Sequence, residues 1–167
     1  MIAAGGKIVC NKKDGVIGAV IEDHGKYYVL TVYHVLKVGK CGLGSTVHLN
    51  GYSGRVVEVH WYHDLAVIEV DAPEEEIEIS DIAEPEIGPA YSLNGTKRIN
   101  CNVMTVGKTY HYLSFPMGDM PLPGDSGSPI IQGDKVVGIL ASIFFNNATG
   151  IAASLDEFAP VDEFLIK

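Results

Sequence analysis

The sequence predicts an all-β protein of two antiparallel six-stranded barrels, with a short helix at the C-terminal end. Three observations carry that expectation. Nineteen glycines and eight prolines punctuate the 167 residues. Between them stand short runs rich in Val, Ile and Tyr, the texture of strands joined by turns. An acidic, proline-marked segment then divides the chain into two halves of similar texture, each with room for about six short strands.

The elements follow in order. Residues 16–22 read as a buried strand, Asp23-His24-Gly25-Lys26 as a turn and 26–32 as a second strand. This hairpin runs into Thr31-Val32-Tyr33-His34-Val35-Leu36, with His34 expected at the strand end. Residues 39–44 read as a loop. Residues 46–50 alternate through Val47 and Leu49 and meet the strong turn signal Asn50-Gly51. Residues 55–59 form a further strand, and His63-Asp64 precede the apolar strand 65–70. Pro73, Glu74-Glu75-Glu76, Glu78, Asp81, Glu84 and Pro85 mark the connector. The expected organisation is therefore a first barrel over 1–72, a linker over 73–88 and a second barrel over 89–167.

In the second half, 90–93 precede an Asn94-Gly95 turn, and 101–106 with 109–115 form a hairpin around Gly107-Lys108. Ile130-Ile131, the turn Gln132-Gly133-Asp134 and 135–142 read as strand, turn, strand, followed by a short strand over 150–154. Asp156 is expected to cap the terminal helix, with Phe158, Val161, Phe164 and Leu165 on its apolar face and Pro160 in its first turn.

Composition excludes some functions. A net charge of −9 argues against a nucleic-acid binder, which carries a basic footprint. No apolar run reaches the length of a membrane span. The stretch Met1-Ile2-Ala3-Ala4-Gly5-Gly6-Lys7 is too short and weakly apolar for a signal peptide. Cys10, Cys41 and Cys101 fit no zinc spacing and read as small buried hydrophobes in a reducing, intracellular setting.

The chemistry-bearing stretch is Pro123-Gly124-Asp125-Ser126-Gly127-Ser128-Pro129. Its prolines forbid helical continuation, and its glycines admit positive φ and close backbone approach. A serine on such a bend has an accessible hydroxyl and peptide N–H groups that can converge on an oxyanion. A nucleophilic serine also needs a base and an acid that orients the base. His34 and Asp64 are the candidates; Asp64 opens an apolar strand where a carboxylate is partly desolvated, whereas Asp71 and Asp81 lie in the acidic connector. The histidine and aspartate fall in the first half and the serine in the second, so a site in the cleft between the barrels unites them. His48, His60, His63 and His111 lack metal-ligand spacing and read as exposed or packing residues, so no metal is expected. Trp61, Tyr62, Tyr110 and Tyr112 read as strand packing. Asn94-Gly95-Thr96 and Asn147-Ala148-Thr149 match glycosylation acceptors but have no secretory context.

Thr31-Val32-Tyr33-His34-Val35, Asp64-Leu65-Ala66-Val67 and Gly124-Asp125-Ser126-Gly127-Ser128-Pro129 together resemble the three signature segments of chymotrypsin-like serine proteases. Val137-Gly138-Ile139 extends the resemblance. It implies a serine endopeptidase that acts on protein or polypeptide substrates and needs no cofactor. Ser126 would be the nucleophile, His34 the general base and Asp64 its orienter, with the N–H groups of Gly124 and Ser126 as oxyanion donors. It also implies a substrate pocket lined by Met120, Pro121, Ala141, Ser142, Ile143, Gly150 and Ala152. No charged side chain stands there, and Leu140 occupies the place where glutamate-cleaving relatives usually carry a histidine. A small or medium apolar side chain is therefore expected before the scissile bond. Lys7-Ile8-Val9 is followed by Cys10-Asn11, which does not fit the activation cleavage of the longer digestive relatives. Val35 replaces the cysteine that secreted relatives place beside the histidine. The chain is thus more similar to compact HtrA-like domains and to viral polyprotein-processing proteases, and the Gly-Asp-Ser-Gly-Ser-Pro form resembles the viral serine type. The alternatives are a bacterial or archaeal quality-control protease and a catalytically silent binding module.

Overall fold

The computed structural model describes residues 1–156 and 158. Its first half contains β1 (Lys7–Cys10), β2 (Lys13–Val16), β3 (Ala19–Asp23), β4 (Lys26–Val32), β5 (Thr46–Leu49), β6 (Tyr52–His60) and β7 (Leu65–Asp71). These form one seven-stranded antiparallel sheet in the order β2-β1-β5-β6-β7-β4-β3. The second half contains β8 (Gly88–Asn94), β9 (Lys97–Thr105), β10 (Tyr110–Ser114), β11 (Pro129–Gln132), β12 (Lys135–Phe144) and β13 (Thr149–Ala153). They close into a barrel in the order β10-β13-β12-β11-β8-β9.

The second half is thus the expected six-stranded barrel, whereas the first is a half-barrel. Its edge strands β2 and β3 are consecutive in sequence but lie at opposite ends of the sheet. Ile17-Gly18 carries the chain between them, so the single strand expected over 16–22 is broken there. A Cβ on Gly18 would stand 2.5 Å from Ile139 Cδ1 of the second barrel. Glycine is what lets the two halves close on each other at this point.

Both Asn-Gly signals form tight hairpins. Asn50 and Gly51 adopt φ of 49° and 85° between β5 and β6, whereas Asn94 ends β8 paired with Lys97 and Gly95-Thr96 make the turn into β9. β1 and β2 are only four residues each, and Lys-Ile-Val-Cys and Lys-Asp-Gly-Val carry no polar–apolar alternation in sequence that marks them as strands. The segment after β4 is α1 (Tyr33–Val38), so His34 sits in the first turn of a short helix and not at a strand end. The terminal helix expected from Asp156 lies outside the described residues. Among the described residues, no helix is long and apolar enough to cross a membrane.

Three buried clusters hold the chain together. One fills the first half around Ile8, Leu36, Leu49 and Ile68. Another fills the second barrel around Ile99, Leu113, Ile130 and Leu140. The third packs Leu30, Val32 and Leu65 of the first half against Val136 and Ile139 of the second, joined by Ile82 of the connector. Burying each such large side chain contributes about 1.5–3 kcal/mol, so the third cluster fixes how the halves dock.

The cysteine expectation needs one correction. Cys10 and Cys41 form a disulfide with their Cα atoms 6.3 Å apart, tying β1 to the segment after α1. Sequence spacing could not reveal this, because only folding brings the two backbones within bridging distance. Cys101 is free and buried, and burial pushes its thiol up to about 12.

Candidate active site

The first half builds a histidine–aspartate pair. β4 ends at Val32, whose side chain makes no capping hydrogen bond to α1. Asp64 supplies the missing acceptor from the β6–β7 connection. Its Oδ1 accepts the backbone N–H of His34 at 2.9 Å, and its Oδ2 meets His34 Nδ1 at 2.5 Å. The Asp64 carbonyl also accepts the Tyr33 N–H at 2.9 Å. To aim both carboxylate oxygens this way, Asp64 takes a φ of 52°, a left-handed conformation that aspartate tolerates better than most residues. One carboxylate therefore satisfies an orphan helix donor and fixes the imidazole through Nδ1, which leaves Nε2 turned away from the acid. The His34 side chain is 44% exposed and that of Asp64 28%.

The second barrel contributes the serine. Pro123–Asp125 form one 3-10 turn, and Ser126 follows it with its side chain almost buried. Gly127 has a φ of 96°, and a Cβ there would lie 2.8 Å from Thr31 Oγ1 and 2.9 Å from the Val16 carbonyl. Thr31 precedes His34 by one helical turn of sequence, so the serine bend is seated against the strand that delivers the histidine. Thr31 in turn donates to the Val16 carbonyl at 2.7 Å. Among the described residues, no hydrogen bond joins Ser126 Oγ to His34.

Asp125, beside the serine, is only 3% exposed. Lys97 Nζ reaches its Oδ2 at 2.7 Å, Asn94 Nδ2 donates to its Oδ1 at 2.9 Å, and the Leu122 N–H donates to Oδ2 at 2.8 Å. Burial alone would raise this carboxyl. The Lys97 ammonium and the Asn94 and Leu122 donors outweigh burial and hold it below the usual carboxylate range. Sequence reading missed Lys97 and treated Asn94 only as a turn residue. Their signal was the hairpin itself: a cation and an amide flanking Gly95 could reach a distant acid.

The two expected oxyanion donors differ. The Ser126 N–H donates to the Pro123 carbonyl at 3.2 Å, while Gly124 is exposed. The expected pocket residues are dispersed among several environments. Met120 and Ile143 pack at the edge of the second-barrel core and Ala152 lies inside it. Ala141 belongs to the cluster between the halves. Pro121 is buried and Ser142 exposed. Gly150 faces a residue not singled out before: a Cβ there would meet Phe115 Cε2 at 2.9 Å. Tyr110 of the second barrel donates to the Tyr62 carbonyl, and Trp61 stacks edge-to-face on Tyr33 with ring centroids 4.8 Å apart. Trp61 and Tyr62, expected as strand packing, thus lie on the connection that carries Asp64 and contact Tyr33 of α1 and Tyr110 of β10.

No protein-family model matches the chain, and no curated protein matches it. Solved structures do. The Nocardiopsis protease NAPase superimposes with a TM-score of 0.73 at 14% identity, over 93% of this chain and 93% of its own. Protease A of Thermobifida fusca gives 0.69 at 14% identity, over 94% and 95%. The NSP4 proteinase of equine arteritis virus gives 0.58 at 21% identity, over 91% of this chain and 72% of its own. A sheet and a barrel docked with histidine and aspartate on one and a serine bend on the other make this the fold of the chymotrypsin-like serine proteases.

Proposed function

We propose that the chain is a serine endopeptidase acting through His34, Asp64 and Ser126. The observation that carries this reading is the two-point grip of Asp64 on His34, through the backbone N–H and Nδ1. A packing histidine has no need of an acid that holds both its backbone N–H and its Nδ1 and leaves Nε2 to another partner.

In this reading Ser126 Oγ attacks the scissile carbonyl carbon while its proton passes to His34 Nε2. Asp64 holds the tautomer and stabilises the imidazolium. The tetrahedral intermediate collapses, the C–N bond breaks, and His34 returns the proton to the leaving amine. Water then repeats the sequence on the acyl-enzyme, with its proton passing through His34, and releases the carboxylate. No metal or cofactor enters any step.

The residue before the scissile bond is a small or medium apolar one. Phe115 occupies the space above Gly150, and no charged side chain stands among Met120, Ile143 and Gly150. For biological role we favour polyprotein processing, on the form of the Gly124–Pro129 segment and the likeness to a viral proteinase fold. A quality-control protease is the second reading. A fluorophosphonate probe tests the enzyme itself: labelling of the wild type that is lost in Ser126→Ala supports it. Absence of labelling in folded wild type favours a silent binding module instead. Peptide-library cleavage dominated by Arg, Lys or Glu before the scissile bond would sink the pocket assignment.

A further inference from the structure

The connection that carries Asp64 is held largely from outside itself. Residues 61–64 turn between β6 and β7, and Asp64 ends the turn at a φ of 52°. That left-handed conformation is sparsely populated outside glycine and persists only where its surroundings hold it. Within the turn the Asp64 N–H reaches the Trp61 carbonyl at 3.4 Å, a long bond. The Tyr62 side chain is 89% exposed, so its ring does not fix the turn. Yet this turn has to aim two carboxylate oxygens at His34.

Two aromatic contacts supply the hold. Trp61 stands edge-to-face on Tyr33 of α1, and the Tyr62 carbonyl accepts the phenolic O–H of Tyr110 from the second barrel. Tyr110 is the first residue of β10 and is itself firmly placed. It pairs with Ala153 of β13, and the Thr109 carbonyl before it accepts the Ser154 N–H at 2.9 Å. The Gly107 N–H donates to Nδ1 of the buried His111 at 3.2 Å, which folds the β9–β10 turn back onto the strand. A Cβ on Gly107 would lie 2.2 Å from the Tyr110 carbonyl oxygen, so glycine is what lets this turn close. A well-anchored strand therefore presents a hydroxyl to a turn with little internal bonding.

Resting on the protease reading above, we propose that Tyr110 is a positioning residue for Asp64. Its O–H pins the Tyr62 carbonyl and keeps residues 61–64 in the conformation in which Asp64 grips both the His34 N–H and Nδ1. The hydroxyl acts through the Tyr62 backbone and not on the reacting atoms. Tyr110 belongs to the barrel that carries Ser126, so the bridge sets the orienting acid of one half against the half that holds the serine. Without the bridge Asp64 relaxes from its left-handed φ, and its Oδ2 loses alignment on Nδ1. His34 then spends less time in the tautomer and orientation that a general base requires.

Tyr110→Phe removes the hydroxyl and keeps the ring. Its kcat on a cleaved peptide is expected to fall about fivefold, the worth of one neutral hydrogen bond, with KM and melting temperature unchanged. The far-downfield proton resonance of the His34–Asp64 pair is expected to broaden or move upfield. Tyr62→Ala keeps the accepting carbonyl and is expected to retain wild-type kcat, as is Tyr112→Phe on the exposed face of β10. In an Asp64→Asn background, Tyr110→Phe is expected to cost less than about twofold in fluorophosphonate labelling rate, because the acid it positions is gone. Wild-type kcat in Tyr110→Phe, a loss confined to KM, or an equal loss in both Asp64 backgrounds overturns the positioning role and leaves the protease reading standing. Failure of folded wild type to label overturns the protease reading, and an unchanged resonance in Tyr110→Phe then overturns the bridge as well. If Tyr110→Phe melts early, the comparison of the two Asp64 backgrounds below both transitions decides.

Discussion

The two halves each carry an aspartate beside a candidate catalytic residue, and they use it differently. Asp64 is partly solvated and spends its two oxygens on His34 and the first turn of α1. Asp125 is buried and spends its charge on Lys97, Asn94 and its own turn. An acid that must stabilise an imidazolium has to keep its charge directed at the imidazole. An acid that only shapes a bend is safest fully neutralised inside the protein, because an uncompensated buried charge is strongly destabilising. The halves are also tied differently: the disulfide Cys10–Cys41 staples the strand–helix region behind His34, whereas an ion pair anchors the serine bend.

The largest effects should separate the chemistry from the scaffold. Ser126→Ala and His34→Ala are each expected to lower turnover by about 10⁶-fold with the melting temperature unchanged, measured on a cleaved peptide. Asp64→Asn is expected to lose about 10⁴-fold, through the wrong histidine tautomer. If Asp125→Asn lost as much turnover with an unchanged melting temperature, the contrast between the two acids would be wrong.

Reduction of Cys10–Cys41 comes next. Its 31-residue separation predicts a loss of about 3–4 kcal/mol in denaturant unfolding. In thiol titration, Cys101 should react only after unfolding, since its thiol is buried and pushed up to about 12. Lys97→Met leaves the Asp125 carboxylate without its cation and is expected to cost about 3 kcal/mol, with kcat falling more than KM rises. Lys97→Arg should recover most of both. A variant with wild-type stability and kcat would show that Asn94 and Leu122 suffice.

The smallest effects are those of pH. Asp125 titrates lower in the folded protein than in the unfolded chain. Its stabilisation is therefore complete above the ordinary carboxylate range and is lost as pH falls through its folded value. His111 behaves differently from a paired histidine. Its Nε2 is buried with no hydrogen-bond partner among the described residues, while Nδ1 accepts the Gly107 N–H at 3.2 Å. Burial holds it below the usual histidine range, against the opposing pull of Asp156 and Glu84. The unfolded chain thus takes up the proton first. Stability is complete above about 6.5 and declines as pH falls below it. Unfolding curves between pH 7 and 5 should show that decline, and His111→Leu should flatten it.

Much of the site was legible because short motifs are local. Thr31–Val35, Asp64–Val67 and Gly124–Pro129 each place one reactive group at the end of a run whose burial pattern is readable. Both hairpins are legible for the same reason, since the positive φ of Asn50, Gly51 and Gly95 is a property of the turn residues themselves. The rest was set at a distance. His34 reads as the end of a strand until Asp64, 30 residues on, caps the first turn of a helix there. Gly18 reads as part of a strand until Ile139 of the other barrel needs its space.

By itself the sequence determined the all-β class, and it nominated the acidic connector as the dividing segment and His34, Asp64 and Ser126 as the candidate site. These follow from composition, alternation and turn chemistry, which are local. Only the tertiary structure decided that the first half is an open seven-stranded sheet, that Cys10 meets Cys41, that Lys97 holds Asp125, and that the Pro123 carbonyl sits on the Ser126 N–H. Each depends on which backbones are brought within a few ångströms, and that is fixed by packing between segments far apart in the chain.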